Sequence, residues 1–146
     1  MMPSALLVLA LLLLSASAVR AEGMTEVVDG DTLLVNGETV RLLGIDAPDK
    51  AARCRKNGDS FPCGLEAQKA LAKLIAGSPV RCDGLEGVRF GKVIVATCRV
   101  GDLDLGYEMV RRGWARADRS YASRYEHVEA AARDARLGIW ASGDRP

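Results

Sequence analysis

An α+β fold, a five-stranded β-barrel of the OB type with three helices packed outside it, is what this sequence predicts. Three observations lead there. Short apolar runs with strand character fill residues 25–45 and 80–100, punctuated by turn residues such as Asn36-Gly37. Apolar residues recur at three- and four-residue steps in three other stretches, the spacing of amphipathic helices. The resulting order, βββ-α-ββ-α-α, suits a small closed barrel carrying external helices.

The first element is expected to be absent from the mature protein. Residues 5–14 form an apolar run of ten, too short to cross a bilayer at about 20 residues per span. Small residues follow, and Val19-Arg20-Ala21 fits a signal-peptidase site. The sequence therefore predicts a signal peptide over residues 1–21 and one domain over 22–146, exported to the periplasm or secreted. Cleavage after Ala18 is the alternative, and no Lys or Arg precedes the apolar run.

Loss of residues 1–21 removes Arg20 and leaves 19 basic and 19 acidic side chains. Nucleic-acid binders are usually basic, because phosphate neutralisation supplies most non-specific affinity. A balanced chain has to bind through local geometry. In an exported chain the four cysteines, Cys54, Cys63, Cys82 and Cys98, are expected to form disulfides. Three pairings are open; the expected one joins Cys54 to Cys63 within one loop and Cys82 to Cys98 across two strands. Structural zinc is disfavoured because Cys-x-x-Cys is missing and His127 is the sole histidine.

Residues 25–28, 32–35 and 39–45 are the first three strands, with the two-residue turn at Asn36-Gly37. Along the third, Arg41 alternates onto one side with Leu43 and Ile45. A polar, basic loop is expected over residues 50–62. Residues 64–75 repeat Ala67, Leu71, Leu74 and Ile75 as a helix ended by Gly77-Ser78-Pro79. Residues 80–83 and 92–100 are two antiparallel strands. Leu103, Tyr107, Val110 and Trp114 share one face of a second helix. The third opens with a capping box at Ser123 and Glu126 and buries Tyr121, Tyr125, Val128, Ala132 and Ala135. Ile139 and Trp140 fold back onto the core, while His127 lies off the stripe.

Residues 27–49 concentrate the chemistry: Asp31, Asp46 and Asp49 with Arg41 between them, on a strand-rich platform. Acids plus a cation on rigid β-structure suit metal-assisted phosphate chemistry.

Five further features make the chain resemble the thermonuclease, or staphylococcal-nuclease-like, family. They are Asp29-Gly30-Asp31-Thr32, the run from Arg41 to Pro48, Phe90-Gly91-Lys92, residues 105–115, and Gly138-Ile139-Trp140. They occur in family order over nearly all of residues 23–140. The resemblance implies an OB-fold, calcium-dependent nuclease acting on DNA or RNA. It implies that Asp31, Asp46 and the Ala47 carbonyl bind Ca²⁺, an oxygen-only set suited to that ion. It makes Arg41 a catalytic arginine holding the attacked phosphate. Arg89, Phe90 and Tyr121 are implied nucleotide contacts, with Phe90 able to stack on a base. Tyr121 has a competing role packing under the third helix.

Two positions depart from the family pattern. Asp49 stands where the family carries a glutamate that positions or activates the attacking water. Lys92 stands where it carries a second catalytic arginine. Aspartate is shorter by roughly 1.5 Å of chain reach, and a misplacement of about 1 Å can cost on the order of 100-fold in rate. Lysine keeps the charge and loses the two-pronged grip on phosphate. The expectation is therefore a monomeric, exported, Ca²⁺-dependent nuclease with weakened or altered activity. The alternative is a non-catalytic module that binds nucleic acid or glycan on the same scaffold.

Overall fold

The computed structural model describes residues 23–83, 89–120 and 123–142. The expected signal peptide, most of the connection between the two later strands and Tyr121 lie outside the described residues, as does the side chain of Arg89.

The chain opens with a meander. Strand β1 (Thr25–Asp29) pairs antiparallel with β2 (Thr32–Val35), its register shifting between Val27 and Asp29. Asn36 and Gly37, at φ of 52° and 82°, turn the chain into β3 (Glu38–Leu42). Both central residues have positive φ, the conformation that matches the twist of a hairpin. The long strand β9 (Val93–Val100) then lies parallel to β3, from Thr39 opposite Val93 to Leu42 opposite Ala96. Strands β7 (Arg81–Asp83), β8 (Arg89–Phe90) and β10 (Leu103–Asp104) pair antiparallel with β9 and continue the sheet. It is a curled half-barrel of mixed strands, an OB-type α+β fold as expected.

Leu33, Val40, Leu42 and Ile94 point into the barrel and are fully buried. They meet Ala67 and Leu71 of α1 (Cys63–Ile75) and Leu105, Met109 and Val110 of α2 (Leu105–Arg111). Each such large aliphatic contributes roughly 1.5–3 kcal/mol through burial. Helix α3 (Glu126–Asp134) adds Val128, and Tyr125 just before it joins the same core. Cys54–Cys63 and Cys82–Cys98 are the two disulfides, the expected pairing. Cys82 and Cys98 face each other across β7 and β9. Closing 16 residues there stabilises the fold by about 3 kcal/mol in the chain-entropy account.

Several expectations are corrected. The third strand ends at Leu42, not residue 45. Gly44, at φ 79°, swings the chain out of the sheet, so strand β4 (Ile45–Asp46) pairs with β11 (Arg116–Ala117) instead. Ile45 is consequently buried with Leu42, and Arg41 is left exposed. The loop over residues 50–62 contains a hairpin, β5 (Cys54–Lys56) and β6 (Asp59–Phe61), turned by Asn57 and Gly58 at φ 52° and 85°. Leu103 lies in β10 and is exposed, because Asp104 caps α2 by accepting the Tyr107 N–H at 3.1 Å. Gly113, at φ 77°, follows the end of α2, so Trp114 lies beyond the helix. Helix α3 begins at Glu126 with Tyr125 at the N-cap and no side-chain cap, not with a box at Ser123. Ala135 is exposed, one residue past the helix end.

Gly44 is buried, and a Cβ there would lie 3.3 Å from the Tyr125 ring. A left-handed backbone on an L-residue costs roughly 1–2 kcal/mol before that contact is counted. Gly44→Ala is expected to lose about 2 kcal/mol in urea unfolding, and to displace β4. An unchanged midpoint would show that the bend tolerates a side chain.

Candidate active site

The Gly44 bend sends the chain back over β3, and this brings three charged side chains together. Arg41 Nη2 donates to Asp46 Oδ1 at 2.9 Å and lies 3.3 Å from Asp31 Oδ2. Asp31 comes from the tight turn joining β1 to β2 and is 4 % exposed, whereas the Arg41 and Asp46 side chains are about half exposed. Asp31 Oδ1 accepts the Thr32 hydroxyl at 2.7 Å, and Oδ2 accepts the Ala47 N–H at 2.9 Å. Burial nevertheless holds the Asp31 carboxyl above the ordinary aspartate range, the Ala47, Thr32 and Arg41 contacts only partly offsetting it.

The segment carrying Asp46, Ala47 and Asp49 is pinned along its length. Beyond the Ala47 bond, Lys50 N–H donates to Asp29 Oδ1 at 2.9 Å. Ala52 N–H donates to the Asp49 carbonyl at 2.7 Å, and Gly64 N–H donates to the Ala52 carbonyl at 3.1 Å. Gly64 packs so closely that any Cβ would collide with the Asp49 carbonyl. From the other side, β11 holds Asp46 through the pairing of Arg116 with Asp46. Buried Glu129 fixes β11 by accepting the Ala117 N–H at 2.6 Å, while Arg133 pairs with its other oxygen.

Two cavities flank this centre. One, of about 340 Å³, is lined by Arg41, Ile45, Phe90, Val93 and Asp118. Phe90 is 57 % exposed there, an aromatic face turned to solvent. Asp118 accepts the hydroxyl and N–H of Ser120, which hold its carboxyl below the usual range. The other cavity, of about 550 Å³, is lined by Asp46, Asp49 and three arginines. Lys92 is exposed in the β8–β9 turn and makes no ion pair among the described residues. Asp31, Arg41, Asp46 and Ala47 are thus assembled, Phe90 shares a cavity with Arg41, and Asp49 shares one with Asp46. Sequence reasoning gave Asp29 no role beyond its place in a motif, and missed Asp118, Arg116 and Glu129 altogether. Only Glu129 carried a signal, an acid set between Val128 and Ala132 beside the apolar stripe.

The donor chemistry fits a hard cation. Two carboxylates and the Ala47 carbonyl, which accepts no hydrogen bond among the described residues, are all oxygen ligands. Among the described residues no group of three or more His, Cys, Asp or Glu could hold a metal, so water would complete such a shell.

The buried Asp31 gives a stability prediction. Its carboxyl takes up a proton at higher pH in the folded chain than in the unfolded one. The stability tied to it is therefore full below the ordinary value of 3.8 and falls as pH rises through the raised one. In chelator, Asp31→Asn is expected to melt above the parent at neutral pH, the gap closing below pH of about 4. A lower melting temperature at neutral pH would contradict the burial account.

The family profile described as "Staphylococcal nuclease homologue" matches residues 39–142. A succinoglycan biosynthesis protein of Rhizobium meliloti is 34% identical over 91% of this chain and 73% of its own length. A probable endonuclease of Schizophyllum commune is 33% identical over 73% of this chain and 41% of its own. A probable staphylococcal-like nuclease of Oryza sativa subsp. japonica is 32% identical over 78% of this chain and 29% of its own. The chain therefore spans under half the length of these two nuclease relatives. On the profile match and the curled barrel with its external helices, the chain belongs to the staphylococcal nuclease homologue family.

Proposed function

We propose that this protein is an exported, calcium-dependent phosphodiesterase that cleaves DNA or RNA as a monomer. One observation carries the reading: a single Arg41 nitrogen bridges Asp31 and Asp46 beside a groove bearing an exposed Phe90. Nη2 is the nitrogen committed to those acids, so the remaining guanidinium N–H groups can meet a phosphate. Phe90 stacks a base next to it, and Arg89 and Tyr121 add nucleotide contacts.

Asp31, Asp46 and the Ala47 carbonyl would hold the calcium ion. Bound there, it supplies Lewis-acid neutralisation of phosphate charge. Asp49 orients the attacking water. The water oxygen bonds to phosphorus as the bond to the leaving sugar oxygen breaks, and Arg41 with Lys92 offsets the charge gained in between. Two carboxylates place calcium affinity at the weak end, around 0.1–1 mM.

Export is supported by the two disulfides and the apolar run of residues 5–14, with residues 1–21 as signal peptide and 22–146 as the domain released. No helix among the described residues is long and apolar enough to cross a membrane. The departures at Asp49 and Lys92, with the polysaccharide-related name of the Rhizobium relative, favour a second reading. In it the same scaffold binds nucleic acid or glycan without cleaving it.

Incubation of the mature protein with single-stranded DNA is expected to release fragments with calcium and none in chelator. Asp46→Ala and Arg41→Gln should each lower the rate by at least about 100-fold. No cleavage above the Asp46→Ala level between neutral and alkaline pH would sink the nuclease reading. Asp49→Glu with Lys92→Arg is expected to raise kcat by on the order of 100-fold. Silence of that double variant, with calcium still bound, would favour the binding module.

A further inference from the structure

The larger cavity shares Asp46, Ala47 and Asp49 with the chemistry described above, but its arginines have no part in it and its charge is unbalanced. Arg53, Arg55 and Arg116 all line it. Arg116 stands directly opposite Asp46 across the β4–β11 ladder, but Asp46 is already bonded to Arg41. Arg53 donates to the hydroxyl and carbonyl of Ser60, at 2.8 and 3.2 Å, and Arg55 donates to the Gly58 carbonyl at 3.1 Å. These neutral acceptors orient the guanidinium groups without cancelling their charge. Among the described residues none of the three arginines has a carboxylate partner. Asp49 is the remaining acid on the wall, so the cavity is a cationic recess of nucleotide-compatible size.

Arg55 rides on the β5–β6 hairpin, and Arg53 stands just before it, bonded to Ser60 of β6. The hairpin turn is set by Asn57 and Gly58, and its base is tied to α1 by Cys54–Cys63. That disulfide anchors the hairpin side of the recess, which lowers the ordering cost of binding there.

Resting on the nuclease reading, we propose that this recess is a second subsite for the backbone of the same strand. The phosphate beyond the cleaved one lies on Arg116, and the next is taken by Arg53 and Arg55. The Phe90 groove and the arginine recess meet at the β4–β11 ladder, with Ile45 and Asp118 on one side and Asp46 and Arg116 on the other. A strand filling both crosses Asp46 with nucleotides on either side.

The test compares native protein, Arg116→Gln, and the triple Arg53→Gln, Arg55→Gln, Arg116→Gln variant, all in chelator. Each is titrated over a salt series with a single strand of about 12 nucleotides and with a dinucleotide. A contact to single-stranded phosphate contributes about 0.7 to the salt slope. The triple variant is expected to flatten the slope for the long strand by about 2, and to bind it at least tenfold more weakly at low salt. Dinucleotide affinity should stay within about twofold, since a dinucleotide contacts few phosphates. The Arg116 side chain makes no hydrogen bond among the described residues, so Arg116→Gln alone should flatten the slope by about 0.7 whatever happens to the hairpin. Unchanged slopes in a native protein that cleaves DNA would overturn the subsite and leave the nuclease reading standing. Equal weakening of both ligands would also overturn it. A native protein that neither binds strands nor cleaves them would remove both.

Discussion

A buried carboxylate bonded to a backbone N–H holds this molecule's site together. Asp31 sits in the turn between the first two strands, and its Oδ2 accepts from Ala47, sixteen residues on. Removing an ionised carboxyl from water is unfavourable unless it is fully bonded. Here the Thr32 hydroxyl, the Ala47 N–H and Arg41 surround it. The arrangement forces the segment after β4 to lie against the first turn, and so decides where Asp46 and Asp49 can be. Gly44 makes that approach possible, because only a left-handed residue lets the chain leave β3 and return over it. Glu129 repeats the device from the helical side, a buried acid bonded to the N–H of Ala117 in the strand facing Asp46.

The barrel was legible because its signals are local and redundant. Asn36-Gly37 dictates a hairpin, alternation sets the buried faces of β2 and β9, and helical spacing marks α1. The break at Gly44 was hidden. Arg41 to Ile45 reads as an unbroken apolar strand, and nothing in residues 39–45 says that its end pairs with residues 116–117. Asn57-Gly58 held the same turn signal as Asn36-Gly37, but its flanking residues are charged rather than alternating, so the hairpin passed as a loop. Assembly of Asp31, Arg41 and Asp46 followed from their motif. Arg116 and Glu129 are placed by tertiary pairing, which a local pattern does not encode.

The centre is unevenly built. Asp31, Arg41, Asp46 and Ala47 are cross-bonded and carried on strands or beside them. Lys92 is exposed on a turn, and Asp49 is exposed on a segment whose backbone, but not side chain, is tied down. Both residues that differ from the family pattern are therefore on the freer edge. A shorter acid and a flexible ammonium give up positional accuracy where the scaffold supplies the least.

The parallel pairing of β3 with β9 has a consequence for how the protein is made. Arg41 lies on β3 opposite Val95, more than fifty residues later in the chain. Such a long-range parallel contact forms slowly, and only after the intervening helix and strands exist. The Asp46 strand waits longer still, for Ala117. A chain emerging from the ribosome thus carries both acids and the arginine well before the strands that frame them, β9 and β11, are available. The strand pairing that fixes Asp46 is therefore completed only after residues 116–117 have joined the chain.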